Sequence, residues 1–170
     1  MSSLLSPKDV FVKLLIMRHG QAGMNANTDA ERALTDRGIK DAASAGKVLA
    51  DLGLTFDALW VSPYLRTQQT ADEVCRAYPE LDRLNSAELT PEAPLRSLIE
   101  SLKRSTHDSI LLISHQPLVS DLVAYLTEPT MAYGPSMAPA SMALVSSENL
   151  LPACGELLWL RHAPEFNRSH

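Results

Sequence analysis

The chain has 170 residues, a formal net charge of -5 at neutral pH, 45% hydrophobic residues and 21% charged residues. That composition is ordinary for a globular protein with a real core, and its acidity offers nucleic acid or an anionic membrane no general attraction. Cys75 and Cys154 stand far apart and outside any metal-ligand spacing, no long apolar run exists, and the opening MSSLLSPKDVF lacks the basic-then-apolar order of a signal peptide. A reduced, cytoplasmic protein with no membrane span is therefore expected.

In chain order, FVKLLIM (11–17) reads as a strand buried on both faces, because its apolar run is nearly continuous. The segment 34–53 reads as a helix with Thr35 as N-cap, Gly53 as stop, and Ile39, Ala42, Ala43, Gly46, Leu49 and Leu52 at helical spacing. FDALWVS (56–62) is a second strand. Segment 62–79 is a second helix, capped by Ser62 with Pro63 at its first position, its apolar face running Tyr64, Gln68, Ala71, Val74, Cys75 and Tyr78. LNSAELTPEA (84–93) reads as a short extended piece, 93–104 as a helix with Leu95, Leu98, Ile99 and Leu102 on one face, and SILLISH (109–115) as a clear strand. A helix over 116–128, apolar at Leu118, Val119, Leu122, Val123 and Leu126, leads to a proline-rich loop over 129–140. SMALVSS (141–147) and ELLWLRHA (156–163) close the chain as two strands joined around Pro152 to Gly155.

Strands alternating with helices imply an α/β protein: a three-layer α/β/α sandwich whose central sheet is mostly parallel, with the last two strands as an antiparallel edge. With no internal repeat and no dividing linker, residues 1–170 are expected to form one domain, its core spanning about 12–162. Ligands of such sheets sit beyond the carboxyl ends of the strands. Arg18, His19 and Gly20 follow the first strand, Ser62 and Arg66 the second, Glu88 the third, and Ser114 and His115 the fourth. The topology thus converges two arginines, two histidines and a carboxylate on one rim.

Each residue has a plainer reading when taken singly: a solvated strand end for Arg18, a helix cap for His115, a stem covering apolar surface for Arg66. Together they form a cradle suited to a tetrahedral dianion such as phosphate, helped by the amino end of the second helix. The two fixed cations would repel a divalent metal, although two histidines and a glutamate are otherwise a respectable ligand set. A neutral imidazole facing phosphorus can act as a nucleophile, and nearby arginines lower its pKa. The remaining donors stabilise charge on the oxygens, while a carboxyl group can protonate the leaving atom. A second Arg-His pair, Arg161 and His162, also ends a strand. It is followed by only eight residues, and if its strand is antiparallel to its neighbours it belongs on the opposite rim. His107 and His170 sit in polar contexts and receive no role.

At IMRHG, SPYLRTQQT, AELTP and LLISHQPLV the chain resembles the histidine phosphatase superfamily, the phosphoglycerate-mutase-like proteins. Order, spacing and short length are most similar to its SixA-type branch, the phosphohistidine phosphatases, from about residue 12 to at least residue 145. The resemblance implies that His19 is a nucleophile that becomes transiently phosphorylated, with Arg18, Arg66 and His115 forming the rest of the phosphate pocket; Gly20 and Gln21, which follow His19, are further expected phosphate-binding residues. Glu88 falls near the position of the proton donor in many relatives. Asp29 or Glu31 are alternatives, and a phosphohistidine substrate, whose imidazole leaves readily once protonated, can be served by a weak donor or none. Neither metal nor cofactor is implied.

Only 21 residues lie between Arg66 and Glu88 and 26 between Glu88 and His115, and both spans are used by helices. No large lid remains to enclose a small sugar phosphate. The expected partner is therefore a phosphorylated protein of the histidine-phosphotransfer or phosphotransferase-system type, with a small phosphate ester as the alternative and no nucleic acid or membrane. The loop over 128–139 is a candidate border of the pocket. Two other classes stay open at this point: a metal-dependent hydrolase using His19, His115 and Glu88, and a non-catalytic phosphoprotein-binding module.

Overall fold

The computed structural model describes residues 11–128, 130 and 133–166. Its centre is a six-stranded sheet built from β1 (Val12–Arg18), β2 (Ala58–Val61), β3 (Arg83–Asn85), β4 (Ser109–Ser114), β5 (Met142–Ser147) and β6 (Gly155–Arg161), in the order β3-β2-β4-β1-β5-β6. The four strands β3, β2, β4 and β1 are mutually parallel, whereas β5 runs antiparallel to β1 and β6 antiparallel to β5. The expected mostly parallel sheet with an antiparallel edge is therefore present.

The nearly continuous apolar runs of β1, β2 and β4 follow from burial on both faces. Leu14, Ile16, Trp60, Ile110 and Leu112 point into one core, which α3 (Leu95–Arg104) and α4 (Leu118–Thr127) close with Leu98, Ile99, Leu102, Leu118 and Leu122. Leu15, Met17, Leu59, Val61, Leu111 and Ile113 point the other way, against α1 (Asp36–Asp51) and α2 (Leu65–Val74). Two helices cover each face, giving three layers. No helix among the described residues is long and apolar enough to cross a membrane.

Several local expectations need correction. The buried stripe of α1 is Gly38, Asp41, Ala42, Ala45, Gly46 and Leu49, while Ile39 and Leu52 are 37% and 43% exposed. Small residues face inward because α1 lies unusually close to its neighbours: a Cβ on Gly46 would stand 2.8 Å from the carbonyl oxygen of Val74 in α2. Thr35 does cap α1, its hydroxyl accepting the Gly38 amide at 3.1 Å, and Gly53 ends it at φ +72°. Helix α2 starts later than expected. Its N-cap is Tyr64, which supplies no side-chain cap bond, and Ser62 is engaged elsewhere. Glu88 does not end a strand; it lies in a one-turn 3-10 helix, Ala87–Leu89, that follows β3.

The most consequential correction concerns Arg161 and His162. Two successive antiparallel pairings make β6 parallel to β1, and Met17, Met142 and Arg161 lie level across the sheet. The second Arg-His pair thus ends on the same rim as the first, two strand spacings or about 10 Å away. There His162 Nδ1 lies 2.6 Å from the Ser141 hydroxyl, and Arg161 stacks on Trp159 and donates to the Phe166 carbonyl at 2.7 Å. Of the proline-rich loop, residues 129, 131 and 132 lie outside the described residues, as does His170.

Candidate active site

Where β1 ends, its backbone is clamped from two sides by three hydrogen bonds. The Arg18 amide donates to Ser141 O at 3.0 Å, the His19 amide to Ser114 O at 3.0 Å, and the His19 carbonyl accepts the Ala140 amide at 2.9 Å. The strand end is therefore fixed between β4 and the segment entering β5, and His19 is only 7% exposed. Its Nδ1 donates to the Gly20 carbonyl at 2.7 Å. A carbonyl can only accept, so Nδ1 carries the proton and Nε2 presents its lone pair. That lone pair receives Arg66 Nε–H at 3.3 Å. Gly20 is required by proximity, since a Cβ there would sit 2.7 Å from the Gly38 carbonyl oxygen. Its amide is given to Thr70 Oγ1 at 3.0 Å, which in turn donates to the Arg66 carbonyl at 2.7 Å. One threonine thus ties the β1 turn to the first turns of α2.

Arg66 is 4% exposed, and an arginine so buried needs partners. Nη1 donates to the Asp29 carbonyl at 2.6 Å and Nη2 to Asp29 Oδ2 at 3.0 Å. The other carboxylate oxygen of Asp29 accepts Arg32 Nη1 at 3.0 Å, and Arg32 Nε donates to the Gly23 carbonyl at 2.8 Å. The guanidinium is held from behind, leaving its Nε edge toward His19.

The His115 ring lies 5.1 Å from that of His19 and is 1% exposed. Its Nε2 is 2.8 Å from the Ser62 hydroxyl, and its Nδ1 is buried without a hydrogen-bond partner. Arg18 donates through Nη1 to the Met137 carbonyl at 2.9 Å, so the described part of the 128–139 loop does border this site. Arg18 Nε is likewise buried and unpartnered. Two buried polar nitrogens without a protein partner, in side chains beside His19, fit a site that completes its hydrogen bonds with a ligand.

Burial, opposed by the Gly20 hydrogen bond and reinforced by Arg66 and Arg18, pushes the His19 pKa down to about 4. Burial, with His19 and Arg66 beside it, pushes His115 down to about 3. Both rings are neutral at pH 7. The arginines contribute, as expected from sequence, but desolvation is the larger cause.

Arg18, His19, Arg66 and His115 are thus brought together. Gln21 is not: its side-chain carbonyl accepts the Thr35 hydroxyl at 2.9 Å at the start of α1. Glu88 is half-buried, and the carbonyl of the next residue, Leu89, accepts the Ser114 hydroxyl at 2.7 Å. Its carboxylate makes no hydrogen bond or ion pair with the four basic residues. Asp29 does reach the site, but as the partner of two arginines. Arg32 first, and Arg66 after it, hold its carboxyl below the usual range, which makes it a poor proton donor near neutrality. Glu31 is exposed. No group of residues able to hold a metal ion occurs among the described residues.

Sequence reasoning missed Tyr64. Its ring packs edge-on against His115 at 5.1 Å, the Arg66 guanidinium stacks over it at 5.1 Å, and its hydroxyl donates to Glu92 at 3.3 Å. Its place two residues before Arg66, at the start of a helix, was the available signal. A cavity of about 400 Å³ is lined by Thr55, Phe56 and Ala77 to Asp82 beside the amino end of β2. It lies on the rim opposite the basic cluster.

Residues 14–89 match the family model of the histidine phosphatase superfamily, branch 1. The chain is 33% identical over 165 residues to the phosphohistidine phosphatase SixA homolog of Haemophilus influenzae, covering 88% of this chain and all of that one. It is 34% identical to phosphohistidine phosphatase SixA of Escherichia coli, over 68% of this chain and 74% of that one. A solved structure of the protein histidine phosphatase SixA with tungstate superposes with a TM-score of 0.78 at 29% identity, covering 88% of this chain and 96% of that chain.

Proposed function

Because the chain belongs to the histidine phosphatase superfamily and is a SixA-type phosphatase, we propose that it hydrolyses phosphohistidine on a phosphotransfer protein of the cytoplasm, through a covalent intermediate on His19 and without a metal. The observation that carries this reading is the His19 tautomer. Nδ1–H is spent on the Gly20 carbonyl, so Nε2 is an unprotonated nucleophile, held 3.3 Å from a guanidinium N–H.

In the first step Nε2 attacks phosphorus and the bond to the substrate's imidazole nitrogen breaks, the leaving ring taking up a proton. As phosphorus transfers, Arg66 Nε–H, Arg18 Nε–H and His115 Nδ1–H donate to its non-bridging oxygens. In the second step water attacks the phosphoryl group on His19, releasing inorganic phosphate and returning the electron pair to Nε2. The Gly20 carbonyl stabilises the positive charge that Nε2 substitution places on the ring. Glu88 is the remaining carboxyl candidate for proton transfer, and a protonated imidazole leaving group lowers the demand on it. The short spans between Arg66, Glu88 and His115 leave the rim accessible to a side chain projecting from another protein.

Brief incubation with phosphoramidate or a phosphorylated histidine carrier, followed by alkaline denaturation, is expected to trap phosphate on the chain in an acid-labile bond. His19→Ala abolishes the label and lowers turnover by roughly a thousandfold or more. Turnover is expected to survive a chelator. Loss in chelator with recovery on zinc or manganese would establish the metal-dependent alternative. Binding of phosphate with neither label nor turnover would establish a pure binding module. Faster hydrolysis of small phosphomonoesters than of the carrier would move the substrate class.

A further inference from the structure

We propose that Ser62 is a positioning residue that sets the tautomer of His115, so that Nδ1 of that ring carries the proton and offers it to the phosphoryl oxygens. The identity of the anion rests on the phosphatase reading above, whereas the tautomer is a property of the protein alone.

Ser62 is fully buried and cannot turn away. Its amide donates to the Ile113 carbonyl at 3.1 Å, and its own carbonyl accepts Thr67 Oγ1 and Gln68 Nε2, each at 2.8 Å. Its hydroxyl oxygen receives the Tyr64 amide at 3.4 Å and lies 2.8 Å from His115 Nε2. A hydroxyl has one proton to give, and among the described residues Nε2 is the acceptor within its reach.

Two neutral arrangements exist. If Nε2 carried the ring proton, the Ser62 oxygen would accept twice and its own proton would be buried without an acceptor. Nδ1, buried and unpartnered, would then aim a lone pair at the anion. If Nδ1 carries the proton, the Tyr64 amide donates to Ser62, Ser62 donates to Nε2, and the one unspent donor is the Nδ1–H facing the pocket. Only the second arrangement pairs both Ser62 and Nε2, leaves Nδ1 as the single unspent group, and presents the right polarity to a phosphoryl oxygen. The doubly protonated ring is suppressed near neutrality by burial and by neighbouring His19 and Arg66. In water a neutral histidine favours the Nε2–H form, so Ser62 selects the other one. The two site histidines then share a tautomer but use it oppositely. His19 hides its proton and shows its lone pair, while His115 hides its lone pair and shows its proton.

Nitrogen-15 NMR of the full chain at neutral pH tests this. His115 is expected to show a protonated Nδ1 and an unprotonated, hydrogen-bonded Nε2, with the Nδ1 proton shifting when inorganic phosphate is added. Ser62→Ala is expected to move the ring toward Nε2–H and to lower kcat by about tenfold, the scale of one hydrogen bond presented with the wrong polarity. Ser62→Thr, which keeps the hydroxyl, retains the wild-type ring pattern. An Nε2–H signature in the unsubstituted protein overturns the proposal whatever the activity, as does an unaltered His115 pattern in Ser62→Ala. Resonances of both His19 and His115 that ignore phosphate would instead overturn the anion-site reading beneath it.

Discussion

Acidification is the sharpest test of the paired imidazoles. Folding holds His19 and His115 neutral, with pKa values pushed down to about 4 and about 3, chiefly by burial. In the unfolded chain each returns to about 6.5. Between those limits the unfolded state binds protons that the folded state refuses, so stability is greatest above the unfolded value, falls as pH falls through the window, and levels off below the folded values. The slope is about 1.4 kcal/mol per pH unit for one fully refused proton, and about 3 kcal/mol for two. From about pH 6.5 to about pH 4.5 the loss accumulates to roughly 5 kcal/mol, comparable with the whole stability of a marginal domain. The assay is urea unfolding across that range for the wild-type chain and for His115→Asn, which removes one of the two rings. The variant is expected to lose stability with about half the slope. Carboxylates with lowered pKa, Asp29 among them, add a loss of the same sign in both chains, so the difference between the curves isolates the ring. Parallel curves would refute the claim that burial keeps His115 uncharged.

Two further outcomes follow from the geometry. Asp29→Asn weakens the ion pair behind Arg66, and because that carboxylate is half in solvent the expected effect is a rise in KM of about threefold to fivefold, with the limbs of the pH-rate profile unmoved. Loss of one limb would restore Asp29 as a proton donor. Gly20→Ala drives a Cβ into the Gly38 carbonyl. Thermal or urea unfolding is expected to report a loss of roughly 1–3 kcal/mol from overpacking, and kinetics a fall in kcat on the order of a hundredfold from misplacing His19. A variant with unchanged kcat would show that the tight turn does not govern the nucleophile.

The elements that carry Arg18, His19, Arg66 and His115 were legible because strand period and helix period differ so plainly. Leu14 to Met17 and Ile110 to Ile113 are unbroken apolar runs, and a parallel sheet forces their ends onto one rim. Polar side chains on irregular segments were not legible in this way. Asp29 sits in a one-turn helix whose path toward Arg66 is set by tertiary packing. It therefore reads in sequence as a free acid when it is the clamp of an arginine. Ser62 matched the pattern of a helix cap, yet its hydroxyl turns across to a histidine 53 positions away. The placement of Arg161 and His162 failed for a different reason. Two reversals of direction restore the original one, and that parity was present in the sequence.

Gly46 is remote from the reacting groups, yet it is mechanically joined to Arg66. The missing side chain lets α1 rest directly on the backbone of Val74, at one end of a stiff rod that carries Arg66 near the other, about 12 Å away at 1.5 Å per residue. A single methyl group there would press on the Val74 backbone and strain the seat of the helix whose other end sets the 3.3 Å reach between guanidinium and imidazole. The seat of Arg66 thus depends on a contact between two helix backbones that includes none of the reacting groups.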